Sequence, residues 1–347
     1  MSAYEISKQS LEDEPLIFDD GIWTYEITLA NRLNDTIPTE NKLIRIIVTC
    51  NDKTITTTPI NQPDIRLPNM DHETIEICYT GMFLNCTELV DISSLRSWDM
   101  TNVDNINCMF AGCVELHDFS PISNWDVSNI TDFQYTFMAC EQLDDLHVFK
   151  HWNMDEPFNA TGMFANCVNL RKLNGIEQWN MDKCYDMTSM FENCIDLRNI
   201  KALRGWNVSN VESMKDMFSM CSIKDVSALS SWDMSHVFTT EFMFSNNIHL
   251  KSVMPLSNWR FHDDCDKFCM FGNCNDLYND HTLFTLIDDA AMTALGGSVT
   301  DIARAKRNAE RNYDYRATDI LNDVPDHCEQ AHLNVLLKMN GAYREED

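Results

Sequence analysis

The chain has 347 residues, a formal charge of −28 and 44% hydrophobic residues. That length suffices for two compact domains. The charge excludes a general binder of nucleic acid or anionic membrane, whose phosphates it would repel. Twenty methionines and 14 cysteines beside only 10 glycines point to a core of soft, adaptable side chains.

Residues 1–10 show no basic stretch followed by an apolar run, so no signal peptide is read there. No segment reaches transmembrane length, and there is no C-terminal wall-sorting motif or hydrophobic tail. An intracellular location is the expectation, with a surface or virion location left open. Residues 1–45 form a non-repeat segment. Within it, 22–29 alternate like a half-buried strand, 31–38 read as a loop, and a second strand begins at Leu43 and runs to Cys50. The segment is either a cap or a separate module. Residues 46–81 read as degenerate coils.

Residues 82–280 are a repeat array. Met-Phe or a variant recurs at Met82, Met109, Thr136, Met163, Met190, Met217, Met243 and Met270, in steps of 27 residues with a single step of 26. Trp98, Trp125, Trp152, Trp179, Trp206, Trp232 and Trp259 keep the same step. So do Cys86, Cys113, Cys140, Cys167, Cys194, Cys221 and Cys274, with Asn247 standing in for one cysteine. A fixed period of this size implies about eight stacked units. After Phe191 the apolar residues fall every third position, at Cys194, Leu197, Ile200, Leu203 and Trp206, a spacing that suits repeated changes of direction. Ser209 and Glu212 are spaced as a capping box. Val211, Met214, Phe218 and Cys221 then fit one face of a short helix, and residues 197–200 are the best place for a short strand. One helix and one strand per unit predict an α/β solenoid like a leucine-rich repeat.

Beyond the array, residues 283–295 and 299–313 read as helices separated by Gly296 and Gly297. Pro325 opens a third helix carrying Leu333, Leu336 and Leu337. Residues 281–347 are thus expected to form a helical cap. Arg304, Lys306, Arg307 and Arg311, interleaved with Asp301, Glu310 and Asp314, read as a solvated helix face.

Sites of chemistry were sought by motif. There is no phosphate loop, dinucleotide fingerprint, His-Glu-x-x-His or Gly-x-Ser-x-Gly. No catalytic residue, cofactor or metal is expected. The aligned cysteines sit in an apolar column and read as small buried hydrophobes. Cys265 and Cys269, near His262, Asp263, Asp264 and Asp266, lack the second ligand pair of a zinc site. The Asx residues after each tryptophan (Asp99, Asp126, Asn153, Asn180, Asn207, Asp233) suit turn caps better than calcium ligands.

Charge is the informative irregularity. Residues 97–149 contain no Lys or Arg, whereas the position after the Leu of Leu-x-x-Ile reads His117, Asp144, then Arg171, Arg198, Lys224, Lys251. Stacking in register would set the cations in a ladder at about 5 Å intervals. Acids such as Asp196 and Asp225 neutralise it, or a partner does. His117, Asp118, Asp144 and Asp145 on one stretch, and Arg171, Lys172, Arg198, Lys224 and Lys251 on the next, are the candidate binding residues.

The unit Trp-Asp/Asn-x-Ser-Asn-Val-x-x-Met-x-x-Met-Phe-x-x-Cys-x-x-Leu resembles the BspA-type leucine-rich repeat, found in mollicute and other bacterial surface proteins, protists and large DNA viruses. The resemblance implies adhesion or interaction and no shared active site. The expected function is a non-enzymatic protein–protein interaction scaffold with a protein partner, no nucleic acid and no membrane span. Surface adhesion or host recognition is the alternative, and an enzyme the third option.

Overall fold

The computed structural model describes residues 16–30, 43–63 and 75–277. It opens with three antiparallel strands, β1 (Leu16–Asp19), β2 (Trp23–Ala30) and β3 (Leu43–Cys50). The last two lie where the alternation placed strands. Asp20 Oδ1 accepts the Ile22 and Trp23 amides and tightens the first turn. Trp23, Tyr25 and Ile27 point inward from β2, and Ile46, Val48 and Cys50 from β3. β3 then pairs in parallel with β4 (Ile75–Cys78), and β4 with β5 (Val103–Asn105), so the N-terminal sheet runs directly into the array. Trp23 meets Phe83 and Trp98 edge-on, at ring-centroid distances of 6.2 and 5.9 Å. One hydrophobic core therefore continues from the N-terminal strands to Leu277.

The array is not the α/β solenoid that the sequence predicts. Among the described residues there is no α-helix, only 3-10 turns of three to five residues such as Ser93–Ser97 and Lys201–Gly205. Strands are few: the five-stranded sheet, and one two-stranded sheet of β6 (Phe158–Asn159) and β7 (Cys184–Asp186). The expected leucine-rich-repeat pattern of one helix and one strand per unit fails at both places. Residues 197–200 supply a single bridge, Lys172 to Asn199, rather than a strand. The stretch from Val211 to Cys221, expected to be helical, is a chain of tight turns. Its capping box is absent, because the Ser209 amide bonds Asn207 Oδ1 and the Glu212 amide bonds the Tyr185 carbonyl of the preceding unit. The helical cap expected over 281–347 lies outside the described residues.

The physical reason lies in the backbone. Each unit places two left-handed residues four apart around its Met-Phe pair, for example Tyr135 (φ 54°) with Ala139 (φ 59°), and Asp216 (φ 54°) with Met220 (φ 60°). Such residues cannot continue a right-handed helix. Amides also alternate in destination. Met217 and Ser219 donate back three residues to Met214 and Asp216, whereas Asp216, Phe218 and Met220 donate to Glu241, Met243 and Ser245 of the following unit. Half of the hydrogen bonds that would have made a helix instead join one unit to the next. The phenylalanines stack as a result: Phe137 on Phe164 at 5.6 Å and Phe191 on Phe218 at 5.8 Å, with rings within 8° of parallel.

At the N-terminal end, the Cys50 amide donates to the Met82 carbonyl, and Lys53 Nζ donates to the Gly81 and Met82 carbonyls at 3.2 and 2.9 Å. Gly175 marks the unit without a 3-10 turn. Its φ is +105°, and a Cβ there would lie 2.6 Å from both His147 Cα and the Leu146 carbonyl, so no other residue fits.

Candidate functional site

The tryptophan column is buried, with each ring 3–5% exposed, and its hydrogen bonding explains why it is tryptophan. Each indole N–H donates to a carbonyl of the preceding unit: Trp125 to Leu95, Trp152 to Ile122, Trp179 to Phe149, Trp206 to Ile176, Trp232 to Leu203 and Trp259 to Leu229, at 2.9–3.2 Å. Trp98, first in the series, finds no such acceptor among the described residues.

The cysteine column behaves likewise. Cys113, Cys140, Cys167, Cys194, Cys221 and Cys274 each donate S–H to the phenylalanine carbonyl one unit back (Phe83, Phe110, Phe137, Phe164, Phe191, Phe244), at 3.1–3.3 Å. Asn247, the exception in the column, gives its amide to the equivalent Phe218 carbonyl at 2.7 Å. The position therefore requires a buried donor and not merely a small apolar group. That requirement was missed in the sequence, although an asparagine in an otherwise apolar column signals it. Burial pushes the thiols up, to about 12 at Cys86, Cys167 and Cys274, so they are protonated and unreactive at neutral pH.

Two polar columns run along the array. Asn105, Asp132, Asn159, Asp186, Ser213, Thr239 and Asp266 are joined by parallel bridges. Their side chains accept the amide two residues on, as Asp132 does from Gln134 and Asn159 from Thr161. Asn105 Nδ2 also reaches Asp132 Oδ2 at 3.0 Å. Burial raises the Asp132 carboxyl above its ordinary value, against the opposing pull of these hydrogen bonds. This column was not foreseen. Four of the six Asx residues after the tryptophans cap turns: Asp99, Asp126, Asn207 and Asp233 accept the amides of Thr101, Ser128, Ser209 and Ser235, whereas Asn153 donates to Asp155.

The candidate binding residues lie on the other side, where each unit turns at Leu-x-x-Ile. The two middle residues are held between buried neighbours: Leu116 and Phe119, Leu143 and Leu146, Leu170 and Leu173, Leu197 and Ile200. Asp145, Lys172 and Asn199 follow one another through parallel bridges, and the Arg171 amide donates to the Asp144 carbonyl. The structure thus brings Asp144, Asp145, Arg171, Lys172 and Arg198 together on one corner, half-buried at Asp145 and exposed elsewhere, while His117, Asp118, Lys224 and Lys251 take the equivalent exposed positions of their own units. A separate bridge joins Thr57 and Asp91.

The second residue of a pair, Lys172 excepted, has another role. Asp91, Asp118, Asp145, Asn199 and Asp225 accept the amide two residues on and so begin the 3-10 turns. Backbone hydrogen bonds from Ser93, Ser120 and Ser227 hold Asp91, Asp118 and Asp225 below the usual carboxylate range. Asp225 therefore serves its own turn. Asp196 does neutralise part of the ladder, sitting 3.2 Å from Arg171 Nε and 3.6 Å from an Arg198 terminal nitrogen. Both arginine side chains remain more than 60% exposed. Arg171, Lys172, Asp196, Arg198 and Asn199 line an open cavity of about 350 Å³.

Cys265 is buried and Cys269 half-buried, while His262 Nδ1 lies 3.9 Å from Asp264. Among the described residues, no group of three His, Cys, Asp or Glu is placed to hold a metal ion. No helix among them is long and apolar enough to cross a membrane.

These features define a repeat protein whose units carry a structural interior and a continuous charged corner. A family model described as "Mycoplasma protein of unknown function, DUF285" matches residues 78–200 and again 196–301, and the chain belongs to that mollicute-type family. No curated protein matches it.

Proposed function

We propose that the chain is a non-enzymatic protein-interaction scaffold, and that its units are kin to the BspA-type repeats their consensus resembles. One observation carries the functional reading. Bridges set Asp145, Lys172 and Asn199 in register in successive units, and the exposed charge changes sign between Asp144-Asp145 and Arg171-Lys172. A charge pattern whose backbone positions are fixed selects a partner and its register. The mutual repulsion of stacked cations, only partly relieved by Asp196, favours an acidic group in the cavity between Arg171 and Arg198.

The test is a pull-down from the native cell with the wild type and with Arg171, Arg198, Lys224 and Lys251 all changed to Glu. A protein captured by the wild type at low salt should be lost with the variant and released as salt rises. Equal capture by a folded variant would refute the reading. Fractionation of the same cells tests surface adhesion, which requires an external, surface-held product.

A further inference from the structure

We infer that the charged corner binds a second copy of this chain, in an antiparallel two-fold dimer. The inference rests on the reading of that corner as a binding face and names its occupant. A two-fold contact is self-complementary: residue i of one copy meets residue j of the other, and j meets i. The corner has this property about one axis, placed between the unit of Asp144-Asp145 and that of Arg171-Lys172.

About that axis, Asp144 and Asp145 face Arg171 and Lys172 of the second copy, two carboxylates against two cations. One unit further out, His117-Asp118 faces Arg198-Asn199. Beyond that, Val90-Asp91 faces Lys224-Asp225. The same pairs recur on the other side of the axis by symmetry. Neighbouring registers fail, because an axis through the Arg171 unit sets Arg171-Lys172 against itself, and one through the Asp144 unit does the same with two aspartates. A parallel arrangement faces like with like throughout. The cavity lined by Arg171, Lys172, Asp196, Arg198 and Asn199 opens beside the axis, where the Asp144-Asp145 pair of the second copy arrives.

The formal charge of −28 opposes this association at long range. Salt screens that repulsion beyond about 8 Å at physiological ionic strength, whereas facing side chains meet within that distance. The contact is polar and exposed, so it yields a weak dimer that salt dissolves.

The test exchanges dipeptides between the two units beside the axis, and folding of each variant is judged first because Asp145 also accepts the His147 amide. The first variant is Arg171→Asp with Lys172→Asp, and the second is Asp144→Arg with Asp145→Lys. Sedimentation of the full chain at about 0.1 M salt should show a concentration-dependent dimer for the wild type, weakened roughly tenfold or more at about 0.5 M. Each variant alone faces like charges and should be monomeric. An equimolar mixture of the two, and a chain carrying all four changes, should regain the dimer. If an exchange prevents folding, judged by circular dichroism, Arg171→Gln with Arg198→Gln replaces it and should weaken the dimer in the same direction. A wild type that stays monomeric at every concentration overturns the inference, as does a dimer that survives both single exchanges. A monomeric wild type whose capture of another protein still depends on the cation ladder would end self-association and leave the scaffold standing. A dimer that obeys the exchanges, with no such capture, would support self-association alone.

Discussion

Changing Trp206 to Phe isolates the hydrogen bond that makes the tryptophan column what it is. In the wild type the Trp206 indole donates to the Ile176 carbonyl at 2.9 Å, and its ring stacks between Trp179 and Trp232 at 6.5 and 6.4 Å. Phenylalanine keeps an aromatic ring but removes the N–H. The lost volume, roughly 40 Å³ at about 24 cal/mol per Å³, costs about 1 kcal/mol. The carbonyl left without a donor costs a further ~1–3 kcal/mol. Trp206→Phe should therefore destabilise by about 2–4 kcal/mol. Trp98→Phe is the internal control, because the Trp98 indole has no acceptor among the described residues. Its cost should stay near the ~1 kcal/mol volume contribution. Trp98 has close ring contacts with Trp23, Tyr79 and Phe83, more than Trp206 has, so packing losses bias the comparison against the expectation. Guanidinium unfolding followed by far-UV circular dichroism and by tryptophan fluorescence gives both values, provided the two signals coincide. Equal costs at the two positions would refute the argument that these residues are selected as buried donors.

Cys167→Ser keeps a donor for the Phe137 carbonyl and should cost ~1 kcal/mol or less, whereas Cys167→Ala orphans that carbonyl and should cost about 1–3 kcal/mol in the same assay. Among the described cysteines, Cys269 is the half-buried one and should be the first labelled by a thiol reagent, as read by peptide mass spectrometry. Asp132 carries a raised pKa in the folded state, so its penalty is absent below the unfolded value and complete above the folded one. The stability of the wild type relative to Asp132→Asn should accordingly fall as pH rises from about 3 to 7 in denaturation curves, on top of a pH-independent cost of setting the new amide against the Asn105 and Asn107 amides. Gly175→Ala should cost about 2–4 kcal/mol through strain and backbone clash. Gly205→Ala, whose nearest neighbour would be 3.8 Å away, should lie within ~0.5 kcal/mol of the wild type.

The inventory of interior residues was legible because the period of 27 places Trp, Cys, Phe and Leu in columns that burial then fills. The local structure was not legible. Val211, Met214, Phe218 and Cys221 fit a helical face, yet the same spacing serves a run of tight turns that places every third or fourth side chain inward. What separates the two is the left-handed conformation at positions such as Asp216 and Met220. At the second of these positions Asn85, Gly112, Asn166, Asn193, Asn246 and Asn273 are the residue types that most readily adopt it, a signal the helical spacing concealed; the first position varies freely. The corner residues were found because both middle positions of Leu-x-x-Ile vary in charge while their neighbours stay apolar. Their second role was concealed: Asp118 and Asp225 were read as surface charges, but each caps a turn. The polar column through Asn105, Asp132 and Asn159 went unread because its members differ in type and share only the ability to accept an amide.

Around the Met-Phe pairs, the amides that join one unit to the next point the same way. The Tyr79 amide donates to Asn105, the next peptide group donates from Ile106 to Asp132, then Phe133 to Asn159, Ala160 to Asp186, Met187 to Ser213, Met214 to Thr239 and Thr240 to Asp266. Three parallel lines begin at Gly81, Phe83 and Asn85. Each line is a file of peptide dipoles of about 3.5 D set head to tail and polarising one another. These files carry an electric axis along the array, negative at the N-terminal end and positive at the C-terminal end, opposite in sense to an α-helix and opposed in part by reverse bonds such as Arg171 to Asp144 and Glu212 to Tyr185. Lys53 stands at the negative end with its ammonium on the Met82 carbonyl, where one of the files begins. A cation is thus stationed where the backbone's own field is most favourable to it. An acid introduced in its place would oppose a field that every added unit reinforces.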